Sequence, residues 1–162
     1  MSIILRPAEP ADTATILGFV RELAAFECEP DAVVATEPML AEALFGVPPA
    51  AEAVIAERDG QAVGFALFFA NFSTWTGRRG LYLEDLYVTP AARGAGVGKA
   101  LLIHLAGIAR DRGWARFEWS VLDWNTPAVE FYRAMGAQAM EDWTVQRVSG
   151  AALERLAGRG PE

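Results

Sequence analysis

The chain has 162 residues, of which 52% are hydrophobic and 22% are charged, and its formal net charge is −7 at pH 7. This length and composition predict one globular domain that buries a core without needing disulfides or metal. The acidic balance argues against broad nucleic-acid binding, and one cysteine with one histidine leaves almost no ligands for a zinc site.

The N-terminal apolar run is short and ends at Arg6 and Pro7, so we expect no signal peptide. No stretch reaches the length of a membrane span. We therefore expect a cytoplasmic protein with a single domain over residues 1–157 and a disordered tail over 158–162.

In chain order, residues 3–6 predict a first strand. The apolar spacing from Asp12 to about Glu27 predicts an amphipathic helix. Thr36 can cap a short second helix that extends to Leu44.

Residues 53–58 and 62–69 predict two strands joined by an Asp59-Gly60 hairpin turn. A polar loop is expected over 71–80, followed by a long strand over 80–88. The central sequence thus predicts consecutive antiparallel strands.

Residues 97–112 predict a long helix, and 117–121 predict another strand. Asn125 or its neighbour can cap a further helix that ends near Gly136, and 139–148 are expected to return as one or two strands. The whole order predicts an α/β (α+β) fold, a mixed sheet with helices on both faces.

Residues 81–100 carry the main functional signal. A strand with adjacent carboxylates, Glu84 and Asp85, leads into a glycine loop over 93–98 that opens an apolar helix. Unpaired N–H groups and the positive end of the helix dipole converge there, which predicts an anion site.

Two known phosphate loops do not fit this segment. In the dinucleotide-binding motif G-x-G-x-x-G the third glycine would fall at Lys99. In the P-loop the first glycine and the hydroxyl would fall at Arg93 and Ala100. The residues instead match Arg-x-x-Gly-x-Gly, the pyrophosphate loop of the GNAT superfamily of N-acetyltransferases.

The resemblance to GNAT enzymes covers nearly the whole chain and includes the Asn125-x-x-Ala-x-x-Phe-Tyr132 pattern. Within the superfamily the chain resembles the diamine (spermidine/spermine) and thialysine acetyltransferases. The matching stretches are 6–8, 22–27, 63–66, 82–85, 93–98, 124–125, 131–133 and 136–137. The resemblance implies a mostly antiparallel sheet that is splayed at an acetyl-CoA site.

The resemblance also implies the catalytic residues. Glu84 would accept the proton of the amine or organise water, and Tyr132 would protonate the departing CoA thiolate. From the residues alone, Glu84 could be an edge carboxylate and Tyr132 a core tyrosine. Asp85 would point to the opposite strand face unless a bulge intervenes, so it is either structural or substrate-facing.

Acetyl-CoA would be held by the backbone of the strand over 80–88, by the glycine loop and by Asn125, which would bond the pantetheine arm. From the residues alone, a role of Asn125 as the N-cap of the following helix is an equally good interpretation. Arg93 would add charge. The implied cofactor-binding residues are Leu86, Tyr87, Val88, Arg93, Gly94, Ala95, Gly96, Val97, Gly98, Lys99, Asn125 and Ala128.

Acidic and aromatic side chains would hold the amine. The implied substrate-binding residues are Phe26, Glu27, Trp75, Glu84, Asp85, Glu118, Trp119, Ser120, Glu141 and Trp143, with Asp142 adjoining. Phe26 stands where a polyamine enzyme of this family has a tyrosine, and the spacing from Trp75 to Glu84 differs slightly. These departures leave the identity of the amine substrate open.

The leading hypothesis is an acetyl-CoA-dependent N-acetyltransferase that acts on a polyamine, diamine or thialysine-like amine by direct attack in a ternary complex. A second hypothesis changes the acceptor to a protein N-terminus, an amino acid or an aminoglycoside. A third is a non-catalytic acyl-CoA-binding sensor. The C-terminal strand and a short helix after Ser149 suggest a homodimer, because relatives often pair through this region or swap it.

Overall fold

The computed structural model describes residues 2–158, which divide into two compact units, one ending at Leu122 and the other beginning at Asp123. The first unit contains the strands β1 Ile3–Pro7, β2 Glu52–Arg58, β3 Gln61–Ser73, β4 Arg78–Val88 and β5 Phe117–Glu118. Its helices are α1 Thr13–Phe26, α2 Glu37–Phe45 and α3 Val97–Asp111, and the second unit contains α4 Thr126–Ala134 and α5 Gly150–Leu156. The predicted disordered tail lies, apart from Gly158, outside the described residues. Within the described part of the chain, no helix is long and apolar enough to cross a membrane.

The five strands of the first unit form one sheet in the order β1-β2-β3-β4-β5. The first four strands pair antiparallel with their neighbours, whereas β5 joins β4 in parallel. Because β2, β3 and β4 are consecutive, short turns can connect them, and only the parallel β5 requires a crossover through α3. The mixed, mostly antiparallel sheet expected from the sequence is confirmed.

Helices cover both faces of this sheet. Ile55 of β2 belongs to a buried cluster with Phe19 of α1, while its neighbour Val54, which faces the other way, is buried as well. On that second face the guanidinium carbon of Arg112, directly after α3, lies 5.9 Å from the centroid of the Phe68 ring. The first unit is thus a three-layer arrangement with α1 and α3 on opposite faces.

The hairpin between β2 and β3 has the turn that the sequence predicts. Asp59 and Gly60 have φ values of 53° and 76°. A two-residue turn with both central residues at positive φ matches the twist of the strands it joins. The Asp59-Gly60 prediction is confirmed.

A bulge and a short strand partner interrupt the regular pairing of β4. Leu67 of β3 lies opposite Asp85 and the next residue, Phe68, lies opposite Leu83, so Glu84 is the extra residue of the bulge. On the other side, β5 pairs with β4 only at Leu81 and Tyr82. Within the described residues, the sheet therefore places no strand beside the second half of β4 on its β5 side.

The predicted loop over 71–80 is wrong in extent. β3 and β4 remain paired as far as Ser73 and Arg78, which leaves a turn of four residues. The Ser73 hydroxyl accepts hydrogen bonds from the backbone N–H groups of Trp75 and Thr76 at 3.2 and 3.4 Å. The polar residues and glycines that resemble a loop belong here to an exposed two-stranded ribbon.

The strand predictions after α3 are also corrected. The strand predicted over 117–121 is limited to Phe117–Glu118, and residues 139–148 form no strand in the described structure. A strand needs a partner for its backbone groups. The regular elements of the second unit are two helices, so its alternating apolar residues have no strand there to pair with.

Candidate active site

Three carboxylates of the first unit come from two elements. Glu84 and Asp85 lie at the bulge of β4, and Glu27 follows the last residue of α1. Glu84 is exposed and Asp85 is half-buried. Because a bulge breaks the strict alternation of a strand, two adjacent side chains need not point to opposite faces.

These carboxylates act on one another electrostatically. The pKa of Asp85 is raised from 3.8 to about 6, first by burial and then by repulsion from the Glu84 and Glu27 charges. Burial also raises the pKa of Glu27. The three groups, called here the acidic cluster, can attract a cation, and Asp85 changes charge near neutral pH.

The end of α1 brings Glu27 to this cluster. The N–H of Glu27 donates to the carbonyl of Leu23 at 2.9 Å, and the next residue, Cys28, turns the chain out of the helix at a φ of 65°. A left-handed residue at this position is a common way to end a helix. The position of Glu27 is therefore fixed by the helix end.

The glycine loop connects β4 to α3 through a 3₁₀ turn at Pro90–Ala92. Gly94 and Gly96 both have a φ of 82°, and neither has a neighbouring atom within 4 Å of where a side chain would begin. Gly96 is the N-cap of α3 and provides no capping side chain. The loop is open, and its first-turn N–H groups are not capped by a side chain, which favours an anion.

Arg93 begins the Arg-x-x-Gly-x-Gly sequence of this loop. Its Nε donates a hydrogen bond of 3.0 Å to the carbonyl oxygen of Val88. Its guanidinium carbon lies 5.4 Å from the ring centroid of Phe26 and 5.7 Å from that of Tyr87. The side chain thus contacts the end of α1 and the end of β4.

Tyr87 differs from the other predicted cofactor-binding residues because its side chain belongs to the core. It is only 6% exposed, and its ring centroid lies 5.6 Å from that of Phe19. Burial raises the pKa of the Tyr87 phenol, hydrogen bonding and repulsion from Glu22 add to this effect, and Arg93 opposes it. Tyr87 can therefore offer a ligand its backbone groups, as can its half-buried neighbours Leu86 and Val88.

The remaining predicted residues of the first unit lie along the β4–β5 edge or on the β3–β4 turn. Glu118 pairs with Tyr82, whose hydroxyl lies 3.0 Å from the Ser120 Oγ. Trp119 packs edge-on against Phe117, with ring centroids 4.8 Å apart. Trp75 is on the turn and is 82% exposed. Trp75 is not among the residues that the structure gathers at the bulge.

The second unit carries the other predicted residues. Asn125 caps α4 by accepting a hydrogen bond from the N–H of Ala128 at 3.4 Å, and Gly136 follows the helix at a φ of 96°, so both cap predictions are confirmed. Tyr132 is half-buried, with its ring centroid 5.5 Å from that of Phe131. Glu141, Asp142 and Trp143 are exposed.

Sequence reasoning missed the contacts of Glu22 with Tyr87 and of Arg93 with Phe26. The residue types carry no signal for them, because α1 and the glycine loop are about 70 residues apart and meet only in the fold. The resemblance marks Phe26 only as a departure from a tyrosine of the family. It did not indicate an arginine partner.

Comparison with known proteins gives consistent results. The acetyltransferase (GNAT) family model matches residues 19–137. A thialysine N-epsilon-acetyltransferase of Sus scrofa is 37% identical over 98% of this chain and 99% of its own length. An L-ornithine N5-acetyltransferase of Arabidopsis thaliana is 41% identical over 57% of this chain and 41% of its own length.

Among solved structures, an integron cassette protein from the mobile metagenome of V. cholerae superimposes with a TM-score of 0.81. It shares 28% sequence identity, and the match covers 97% of this chain and 98% of that protein. The family model and the sequence relatives indicate the family, and the structural match supports the fold.

Proposed function

This chain belongs to the GNAT family of acetyltransferases, and we propose that it transfers acetyl from acetyl-CoA to a primary amine of a small cationic molecule. The family establishes N-acetyltransferase activity with acetyl-CoA as co-substrate. The cationic substrate, a polyamine, diamine or thialysine-like amine, is the proposal. The acidic cluster of Glu27, Glu84 and Asp85 is the observation that carries it. The thialysine N-epsilon-acetyltransferases among the relatives support the same choice.

Acetyl-CoA binding is assigned to the glycine loop and to the second half of β4. The loop N–H groups from Arg93 to Lys99 would hold the pyrophosphate, and the positive end of the α3 dipole favours that charge. Backbone groups of Leu86 and Val88 would bond the pantetheine arm as an added strand would. Support comes from the limited pairing of β5, which leaves this part of β4 available within the sheet.

The proposed reaction is direct attack in a ternary complex. Alkyl amines have a pKa of about 10.4, so the bound ammonium must lose a proton before its nitrogen can attack. Glu84, which is exposed at the bulge, takes that proton directly or through water. The nitrogen bonds to the thioester carbon, the C–S bond breaks, and Tyr132 gives its phenol proton to the departing thiolate. The nitrogen loses its second proton as the amide forms, and Tyr132 regains a proton, so that the net products are the amide, CoA thiol and one proton.

The three carboxylates of the acidic cluster have different proposed roles. Glu84 handles the proton, whereas Asp85 and Glu27 supply negative charge toward the cation. Because the pKa of Asp85 is about 6, this charge develops fully only above that pH. Glu141, Asp142, Trp75 and Trp143 remain proposed contributors to substrate selection, through charge or cation–π contacts.

We also propose that the protein is a cytoplasmic homodimer. Large apolar side chains of the second unit are exposed, among them Trp143, Val145 and Leu156. Exposed apolar surface is a common feature of subunit contacts. Light scattering coupled to gel filtration would test this, and a strictly monomeric mass across micromolar concentrations would contradict the dimer.

A CoA-release assay tests the function. With acetyl-CoA, we expect turnover on at least one of spermidine, spermine, putrescine and thialysine, and a much slower reaction with an aminoglycoside. In Tyr132→Phe we expect unchanged CoA binding by calorimetry and a kcat lower by about 10²- to 10⁴-fold, because the leaving thiolate loses its proton donor.

Each part of this experiment can fail separately. Full activity of Tyr132→Phe on the preferred amine would remove Tyr132 from the mechanism while leaving the substrate class intact. No turnover on any of the four amines, with CoA still bound, would contradict the small-cation proposal and favour a peptide or another acceptor.

A further inference from the structure

Arg93 connects three elements that are distant in the sequence. It lies at the start of the glycine loop, its Nε donates to the Val88 carbonyl at the end of β4, and its guanidinium lies over the ring of Phe26, the last residue of α1. The Tyr87 ring is the second aromatic neighbour, with its centroid 5.7 Å from the guanidinium carbon. Both ring distances are within the range of cation–π contacts.

We propose that Arg93 is a positioning residue that ties the acetyl-CoA loop to the end of α1, so that donor and amine sites are held in one arrangement. This inference rests on the assignment of the loop to acetyl-CoA and of Glu27 to the amine. It gives Arg93 a role different from the added pyrophosphate charge that the sequence suggests. Phe26 becomes a determinant of cofactor binding although it lies outside the loop.

The geometry around Arg93 favours a role in positioning the loop over a role in neutralising the pyrophosphate charge. A planar guanidinium can lie against two aromatic rings while its Nε donates in the plane, and a lysine ammonium has neither the plane nor this donor. The Nε of Arg93 donates to the carbonyl of Val88, a residue whose backbone is proposed to bond the pantetheine arm of acetyl-CoA. Loss of the side chain would therefore loosen the end of β4 together with the loop.

The contact with Phe26 extends the effect to the amine side. Phe26 directly precedes Glu27, whose charge acts on Asp85. Arg93 and the acidic cluster are therefore linked through the last turn of α1. A residue that only neutralised pyrophosphate would have no influence on the KM for the amine at saturating acetyl-CoA.

Calorimetry with CoA tests this link without any need for turnover. We expect Phe26→Leu to weaken CoA binding by about two- to fivefold, the size of a lost cation–π contact. Arg93→Gln should weaken it by about tenfold, because a charge-assisted hydrogen bond is lost as well. The double variant should bind no more weakly than Arg93→Gln alone, and Arg93→Lys should not restore affinity.

Two variants serve as matched controls. Phe26→Tyr keeps the ring face and should bind CoA like the wild type. Arg110→Gln removes an exposed arginine of α3 whose Nε donates to the adjacent Asp111 at 3.0 Å, and it should change neither binding nor kinetics. For an amine that the wild type acetylates, Arg93→Gln should also raise the KM at saturating acetyl-CoA.

The opposite pattern would overturn the proposal. If Phe26→Leu binds CoA like the wild type and Arg93→Lys restores the affinity lost in Arg93→Gln, Arg93 acts as a charge on the pyrophosphate. If none of the variants changes CoA affinity, the loop assignment itself fails. Absence of turnover on every amine would affect the proposed substrate and leave the CoA result valid.

Discussion

Asp85 combines a proposed role at the amine site with an environment that disfavours its charge. Burial and the charges of Glu84 and Glu27 raise its pKa from 3.8 to about 6. A carboxyl group whose folded-state pKa is raised binds its proton more tightly in the folded than in the unfolded chain. Holding Asp85 ionised at neutral pH therefore costs the protein stability, which is consistent with a site kept for function.

The variant Asp85→Asn tests this cost. At pH 7.5 we expect its free energy of unfolding to exceed that of the wild type by up to about 3 kcal/mol, since the pKa of Asp85 is raised by about two units and each unit corresponds to about 1.4 kcal/mol. The difference should shrink as the pH falls through about 6 toward 4, where Asp85 becomes protonated in the folded protein. Urea melts at both pH values measure it, with amine turnover reduced in the same variant. If Asp85→Asn and the wild type had equal free energies of unfolding at both pH values, the account would be contradicted.

The sequence predicts the identity of these residues better than their arrangement. The Glu84-Asp85 pair and Glu27 can be picked out by their resemblance to a family motif. The residues by themselves do not reveal the bulge, because Leu81 to Val88 read as an ordinary strand and only the pairing with β3 shows that Glu84 is the extra residue. The pKa of Asp85 depends on that arrangement and could not be predicted.

The glycine loop and α3 act as one unit in the proposed cofactor site. Gly96 ends the loop at a positive φ and begins the helix as its N-cap. With open space around it, this glycine is required by backbone conformation and not by crowding. The sequence alone suggested this glycine, because the strand, the glycines and the apolar helix are consecutive.

Two alanine substitutions on this segment should have opposite effects. Gly96→Ala forces a side chain into a left-handed conformation, and we expect it to lower stability by about 1 kcal/mol and to weaken CoA binding. Gly107→Ala, within α3 and also in open space, should raise stability by up to about 1 kcal/mol and leave CoA binding unchanged. Thermal melts and calorimetry measure both. Equal CoA affinity in the two variants would contradict the loop assignment.

Local signals predicted elements well where they are self-contained. The Asp59-Gly60 turn and the Thr36 and Asn125 caps depend on a few neighbouring residues, and the structure confirms each of them. The strand prediction for residues 139–148 is wrong because the alternation of apolar residues does not indicate whether a partner strand is present. The same dependence on partners explains why β3 and β4 extend beyond their predicted ends.

For the molecule as a whole, charge and topology support the same conclusion. The net charge of −7 makes a cationic small molecule a compatible partner, and the acidic cluster concentrates part of this charge at the bulge. Within the described residues, the sheet that carries the cluster also presents the half of β4 that has no strand on its β5 side, together with the open glycine loop. The proposed cation site and the proposed anion site thus follow one another along the same strand and its continuation.

The most direct test compares a diamine with a monoamine of the same length. If Glu27 of the acidic cluster binds the second ammonium group of a diamine, Glu27→Gln should raise the KM for the diamine by about three- to tenfold and leave the KM for the monoamine nearly unchanged. Glu37→Gln, which removes an exposed carboxylate at the start of α2, should change neither value. Equal effects of Glu27→Gln on both amines, or none on either, would contradict selection by the acidic cluster.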